Sequence, residues 1–304
     1  MLTVSVITVN YNQPEVTVEL LLSLKKYASH LSIEVILADN APSKNYYDTF
    51  IQHYPSLLYI KNDENLGFAG GNNVAMEKAS GQYILLLNND TEITEGFIEA
   101  MISEFEQNSD IGLLSPQINF YENKKLIQYA GFTPMNYLTC RNKAIGYLEK
   151  DTGQFAQLSK ETGFCHGAAV MCRKENLLKA GLMDENYFLY YEELDWCEKF
   201  KKTGKKIWFT GKTKIYHKES VSVGRASTVK TYFMVRNRML YIRKNTGFFN
   251  KLFFSIYYSC IVIPKQTISY MLNKRTDLAK YTLKALFWNF THLKNNPKLG
   301  YPIK

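Results

Sequence analysis

Apolar residues in the first half of the chain fall into short runs that end abruptly in polar groups. TVSVITVNY (3–11), IEVILADN (33–40), SLLYIKN (56–62) and YILLLNND (83–90) each read as a buried strand. Between them the apolar spacing changes to that of helices. Pro14 opens one with Leu20, Leu21 and Leu24. A second falls near 44–54, a third near 72–79 after a Gly-rich loop, and a fourth starts at about 95. IGLLSP (111–116) is a short fifth strand. Strands alternating with helices predict an α/β fold with a mostly parallel sheet and right-handed crossovers.

The stretch 117–165 is less regular, and its spacing admits strands at 125–131 and 143–148. TGFCHGAAVMCRKENLLKAG (162–181) reads as a loop, a small-residue strand and a capped helix. DENYFLYYEELDWCEKFKKTG (184–204) is an aromatic stretch entering a helix that stops at Gly204. KKIWFTG (205–211) and TKIYHKES (213–220) read as two further strands, and beyond about 228 the pattern is helical.

Ligands of such sheets bind beyond the carboxyl ends of the strands. All four early strands are polar there. The first ends in Thr8, Asn10 and Tyr11, and the second in Asp39 and Asn40. The third feeds NDENLGFAGGNN, and the fourth ends in Asn88, Asn89 and Asp90. Asn, Asp and Gly also favour turns for backbone reasons. Turn chemistry accounts for any one of these ends, but less readily for all four on the ligand edge.

An ordered set of motifs then carries a resemblance. VSVITVNYN, DNAPS, ENLGFAGGNN, LLLNNDT, GFCHGAAVMCRKE, MDENYFLYYEELDWC, IYHKESVSVG and YFMVRNRMLYIRKN follow one another through most of the chain. In this the chain resembles the inverting glycosyltransferase family 2 of GT-A fold, in particular its bacterial rhamnosyltransferase-like branch. The resemblance implies a UDP- or dTDP-sugar donor. Thr8, Asn10 and Asp39 would hold its base and ribose, with Tyr11 and Asn40 at the same strand ends. Asn65, Gly67, Phe68, Gly71 and Asn72 would form the loop beside the nucleotide. Asp90 would bind a divalent metal on the diphosphate, with Asn88 and Asn89 before it and His217 completing the site. Glu192, Glu193 and Asp195 would supply the catalytic base. Two positions depart from the family pattern: Asn88 stands where the usual Asp-x-Asp motif has its first acid, and Glu192-Glu193 replaces the commoner Glu-Asp pair.

The residue chemistry agrees independently. A nucleoside diphosphate leaves readily only when its charge is neutralised. Mg²⁺ takes carboxylate oxygen, waters and substrate phosphates, so one protein carboxylate suffices; Mn²⁺ also accepts imidazole. Acids in a helix's first turn are otherwise explained by the dipole. Here they follow the aromatic run YFLYY, which suits sugar rings, and crowded carboxylates raise one another's pKa. On helical spacing Glu192 and Asp195 share a face, with Glu193 turned about 100° away. We assign the base to Glu193, which holds the place of the second acid in the family's pair.

Composition adds a division of charge. Of the 37 Lys and Arg in the 304 residues, fifteen follow Glu219, against the single acid Asp277, so a basic tail succeeds a body with more acids than bases. The expected organisation is a catalytic domain over 1–227 and a helical, basic region over 228–304. KLFFSIYYSCIVIPKQTISYML (251–272) is apolar but interrupted by Pro264 and Lys265, too soon for the roughly 20 residues of a membrane span. It is expected to lie on an anionic membrane surface, or else to pack on the body or form a homodimer. No nucleic-acid motif accompanies the basic tail. The five cysteines show no pairing framework and the start reads as a strand, which together place the protein in the cytoplasm, peripheral on the inner face of the membrane. The resemblance implies a lipid-linked or cell-surface glycan precursor as acceptor, and its branch favours rhamnose as transferred sugar, with galactose, galactofuranose or N-acetylhexosamine as alternatives. A nicotinamide oxidoreductase would show GxGxxG after a strand, which GFAGGNN does not match. A silent sugar-nucleotide-binding subunit would be expected to lose the acidic cluster.

Overall fold

The computed structural model describes residues 3–218 and 227–303; the ESVSVG part of the motif after His217 lies outside them. The first half follows the expected alternation: β1 (Val4–Asn10), α1 (Pro14–Ala28), β2 (Ile33–Asn40), α2 (Tyr47–His53), β3 (Leu58–Asn62), α3 (Gly67–Lys78) and β4 (Tyr83–Leu87). The four strands lie parallel in the order β3-β2-β1-β4. The residues of β1, β2 and β4 are almost all buried, which is why they read as continuous apolar runs, whereas β3 at the sheet edge is partly exposed.

The second half extends the same sheet. β5 (Thr91–Ile93), α4 (Phe97–Gln107), β6 (Ile111–Phe120), β7 (Ile127–Tyr129), β8 (Ser159–Glu161) and β9 (Ala169–Arg173) are followed by α5 (Lys174–Ala180), α6 (Glu192–Lys202) and β10 (Lys206–His217). The order continues β4-β9-β6-β10-β5, with β9 antiparallel to β4 and β6. β10 runs parallel to β6, and β5 antiparallel to β10.

Several expectations need correction. The Gly-rich segment is not a loop: α3 starts at Gly67, because Asn65 Oδ1 accepts the Gly67 N–H and Phe68 N–H donates to the Phe188 carbonyl. The two strands expected at 205–211 and 213–220 are one, β10, with a bulge between Thr210 and Lys214 that re-aims its second half. No strand forms at 143–148, where Phe132 and Ala144 make an isolated bridge. β5 was not anticipated, and β6 runs on to Phe120.

The remaining helices are α7 (Thr228–Asn245), α8 (Phe248–Tyr257), α9 (Ile263–Leu272) and α10 (Thr276–Thr291). Pro264 does not break the apolar stretch. A π turn at Tyr258–Val262 widens the helix just ahead of it, accommodating the carbonyl left without a proline N–H. Among the described residues no helix is long and apolar enough to cross a membrane. One face of the sheet packs on α1, α2 and α4 through residues such as Leu21, Phe50 and Phe105. The other shares a single apolar cluster with α3, α6 and α7–α10, in which Ile7 and Ile36 join Trp196, Tyr241, Phe254 and Trp288.

Candidate active site

A cleft of about 810 Å³ lies along the carboxyl edge of β1, β2 and β4. Its floor follows from strand register. β1 and β2 pair Asn10 with Asp39, so Asn10 Nδ2 donates to Asp39 Oδ1 at 2.7 Å. Tyr59 donates to Asp39 Oδ2 at 2.7 Å, and Thr17 to Asn10 Oδ1 at 2.8 Å. Burial raises the Asp39 carboxyl above its ordinary value, with the Tyr59 and Asn10 hydrogen bonds pulling the other way. Thr8, Asn10 and Asp39 are fully buried and do not line the cleft; they support its floor.

One step outward the cleft begins. Asn40 donates to the Gly67 carbonyl at 2.8 Å and accepts from Asn62, its register partner, at 2.8 Å. That fixes Asn65, Gly67, Phe68 and Asn72 in the lining of the cleft, which Tyr11 shares. Gly67 has φ +69°, and a Cβ there would fall 2.3 Å from the Phe188 carbonyl oxygen. Gly71 is a packing position instead: a Cβ would meet Asn40 Nδ2 and Val9 Cγ1, each at 2.9 Å, and the residue stays below the surface.

The tip of β4 carries Asn88, Asn89 and Asp90 into the cleft. Asn89 is held by a 3.0 Å bond to Thr17 Oγ1. The antiparallel pairing of β10 with β5 sets His217 opposite Thr91, and so beside Asp90. His217 Nδ1 lies 2.9 Å from the side-chain amide of Gln128. Its Nε2 lies 3.1 Å from Asp90 Oδ1, a buried oxygen with no hydrogen-bond partner among the described residues. His166 packs against His217 with ring centroids 5.8 Å apart; burial first, then His217, pushes it down to about 3, so it is neutral. Among the described residues no three His, Cys, Asp or Glu converge as a closed metal cage. The donors present fit a hard cation that completes its shell with water and phosphate oxygens.

The acids of α6 divide differently from helical spacing. Glu192 and Glu193 both line the cleft, whereas Asp195 faces α7 and accepts from Tyr187 at 3.0 Å and Asn245 at 2.6 Å. The shared face expected for Glu192 and Asp195 is therefore not used as one, because the helix starts at Glu192 and its first turn opens directly onto the cleft. Burial pushes Glu192 well above the ordinary carboxylate range, and the Glu193 charge adds to the shift. Burial also raises Glu193, against the helix-start amides that lower it. Glu192 Oε2 is buried without a hydrogen-bond partner.

The turn that presents these acids is strained. Phe188, Tyr190 and Tyr191 have φ of 65°, 67° and 74°, costly for residues other than glycine. Buried Asn237 of α7 holds it, donating to the carbonyls of Tyr187, Leu189 and Tyr190 at 2.7–2.8 Å. Arg236 donates to the Asn186 carbonyl and steadies Asn237 Oδ1 at 2.9 Å. Reading the sequence did not single out Asn237, Gln128, Lys230, Tyr281 or Tyr301 as site residues. Asn237 and His166 lie within motifs that carried the resemblance, while the others gave no local signal.

Comparison with known proteins agrees with this architecture. The family model described as Glycosyl transferase family 2 matches residues 5–179. A low-salt glycan biosynthesis hexosyltransferase of Haloferax volcanii is 26% identical over 243 residues, 78% of this chain and 74% of its own. An N-acetylglucosaminyl-diphospho-decaprenol L-rhamnosyltransferase of Mycobacterium tuberculosis is 21% identical over 72% of this chain and 77% of its own. Among solved structures, S. aureus TarS 1–349 superposes with TM-score 0.58 at 14% identity, covering 94% of this chain and 80% of that one. GalNAc-T7 with UDP, GalNAc and Mn²⁺ gives 0.65 at 15%, covering 95% and 57%. At such identities the structural likeness is one of fold, the GT-A fold.

Proposed function

The chain belongs to glycosyl transferase family 2 and is a glycosyltransferase of glycan biosynthesis; from that premise we propose that it is an inverting, metal-dependent enzyme. It moves a sugar, rhamnose in the favoured reading, from a UDP- or dTDP-sugar to a hydroxyl of a lipid-linked or cell-surface glycan precursor. The observation that carries this reading is a single cleft in which Asp90, with an unpartnered buried oxygen beside His217, meets the paired carboxyls of Glu192 and Glu193.

Asp90 and His217 would hold Mn²⁺ or Mg²⁺, which when bound neutralises charge on the departing diphosphate. Asn40, Asn65 and Asn88 offer hydrogen bonds to the nucleotide and sugar hydroxyls along the strand edge. The acceptor hydroxyl attacks the anomeric carbon as the bond from that carbon to the phosphate oxygen breaks. The leaving nucleoside diphosphate takes the bonding electrons, and the hydroxyl proton passes to the Glu193 carboxylate. One displacement inverts the anomeric centre and needs no covalent sugar–enzyme intermediate. Residues 1–227 carry the proposed catalytic groups, and 228–304 form a basic helical part that also lines the cleft and rests on an anionic membrane surface. That contact is supported by the exposure of Phe249 (83%), Leu272 (79%) and Leu293 (80%) among basic residues.

A panel of nucleotide-sugars, with and without Mn²⁺ or Mg²⁺, tests the reading by thermal shift and slow donor hydrolysis. One nucleotide class should raise Tm in a metal-dependent way, because a ligand of the native state alone stabilises it. No shift and no hydrolysis with any donor would overturn it.

A further inference from the structure

Arg236 of α7 is fully buried, and among the described residues no carboxylate pairs with it. Burial pushes its guanidinium down to about 10, with the Tyr232 and Tyr187 hydroxyls opposing, so it stays charged at neutral pH. A lone buried cation is costly unless its donors are used. Three separate parts of the chain supply the acceptors. Nη2 donates to the Asn186 carbonyl, ahead of the strained turn before α6. Nε donates to Asn237 Oδ1 at 2.9 Å. Nη1 donates to the Leu299 carbonyl at 2.8 Å, in the strap 298–303. The strap is closely seated. The Leu299 carbonyl also accepts from Tyr232 at 2.9 Å, and the Lys298 carbonyl from Trp288 at 2.8 Å. At Gly300, whose φ is +74°, a Cβ would fall 2.4 Å from the Tyr232 hydroxyl and 2.5 Å from Trp288 Cδ1. Alanine there would lift the strap.

We infer that Arg236 is a positioning residue that ties the strap to the turn presenting Glu192 and Glu193, so that seating of 298–303 sets where those acids stand. As a statement about catalysis the inference rests on the transferase reading above. Asn237 can give its N–H groups to the Tyr187, Leu189 and Tyr190 carbonyls only while its Oδ1 points away from them. Arg236 Nε holds it that way round. The guanidinium is a rigid planar fork, so its three bonds are geometrically linked. If the Leu299 carbonyl moves away, Nη1 is left buried without an acceptor, and the fork must tilt or admit water. Either change loosens Nε from Asn237 and Nη2 from Asn186. The turn, held in left-handed backbone at Phe188, Tyr190 and Tyr191, then relaxes. Glu192 and Glu193 follow it directly in the chain. The strap thus acts on the acids through two side chains of α7, without touching them.

The test uses the full chain and two readouts. In Gly300→Ala, amide hydrogen exchange across 186–193 should rise by about tenfold or more, while β1 and β4 exchange as in the parent. In the same variant, kcat for hydrolysis of UDP-N-acetylglucosamine or dTDP-rhamnose, whichever the protein turns over with Mn²⁺, should fall about tenfold, with donor KM within about twofold. Gly300→Ala combined with Asn237→Ala should be no slower than Asn237→Ala alone, because the strap acts through that amide. Arg236→Lys keeps the charge but not the fork, so it should show the same split of kcat from KM; should it not fold, the Gly300 and Asn237 pair decides. Tyr232→Phe, which removes one hydroxyl from the Leu299 carbonyl, replaces Gly300→Ala if that variant does not fold. Unchanged exchange at the turn, or effects of Gly300→Ala and Asn237→Ala that multiply, would overturn the coupling and leave the transferase reading standing. If the unsubstituted protein hydrolyses no nucleotide-sugar, the transferase reading falls, and the exchange result alone decides whether strap and turn are coupled.

Discussion

Asn237 donates its side-chain amide to the Tyr190 carbonyl at 2.8 Å, two residues ahead of the first acid of α6. The same amide reaches the Tyr187 and Leu189 carbonyls. Three residues in left-handed backbone would relax without it, and Glu192 and Glu193 would leave their places in the cleft. Asn237→Ala and Asn237→Asp are both expected to lower kcat by about tenfold or more with little change in donor KM, since neither side chain donates. Asp keeps the shape, so its failure to rescue isolates the donated hydrogen bonds. Normal kcat in both variants would show that the turn holds itself.

The buried, unpartnered Asp90 oxygen 3.1 Å from His217 Nε2 predicts a site that takes a cation. Asp90→Asn should remove the metal-dependent part of the thermal shift given by nucleotide-sugar and most turnover. His217→Gln should weaken metal affinity by less, because imidazole is the neutral ligand of the two. Near-normal turnover of Asp90→Asn at saturating metal would sink the assignment.

How much of this was legible depended on where the information lay. Buried parallel strands announce themselves, because residues covered on both faces must be apolar; the tips of β1, β2 and β4 therefore stood out as polar interruptions. Thr8, Asn10 and Asp39 looked like ligand groups but are spent on one another, on Tyr59 and on Thr17, or buried under the floor, which only register and depth reveal. The single strand β10 read as two, because its bulge resets the alternation. The separation of Asp195 from Glu192 and Glu193 depends on α7 lying beside α6, where Asn245 meets Asp195 from 50 residues later in the chain. Lys230 and Tyr301 meet the cleft only through the packing of α7 and α10.

The basic helices carry a prediction about surfaces. Phe254, Tyr258 and Ile263 are buried in the cluster shared with the sheet, while Phe249 and Phe253 on the same helix are exposed. Deleting 250–304 would therefore uncover core, and point changes are the sound test. Phe249→Asp with Phe253→Asp should release the protein from anionic liposomes at low salt without lowering Tm by more than a degree or two. Failure of the unsubstituted protein to sediment with such liposomes would overturn membrane contact.

The paired acids yield a prediction whose sign can be worked through. Burial holds the folded-state pKa of Glu192 above its ordinary value of 4.5. Above that ordinary value the folded state therefore binds more protons than the unfolded chain, and its stability falls as pH rises through the window between the two pKa values. Replacing Glu192 with Gln removes this dependence. The variant should match the parent's Tm below about pH 4 and exceed it increasingly toward neutrality. Glu193 is raised too, by burial, but as the proposed base it must be ionised to accept the acceptor's proton. Turnover should therefore fall on acidification at a pH above that of an ordinary glutamate, and Glu193→Gln should lose about a hundredfold or more in kcat while the donor-induced thermal shift persists. Glu192, held protonated by burial and by the Glu193 charge, is neutral where Glu193 titrates, so Glu192→Gln should leave the acid limb of the kcat profile close to its place rather than abolish it. If instead Glu193→Gln turns over normally and Glu192→Gln is inactive, the deeper carboxyl is the base, and the proton leaves along the Glu192 side of the cleft.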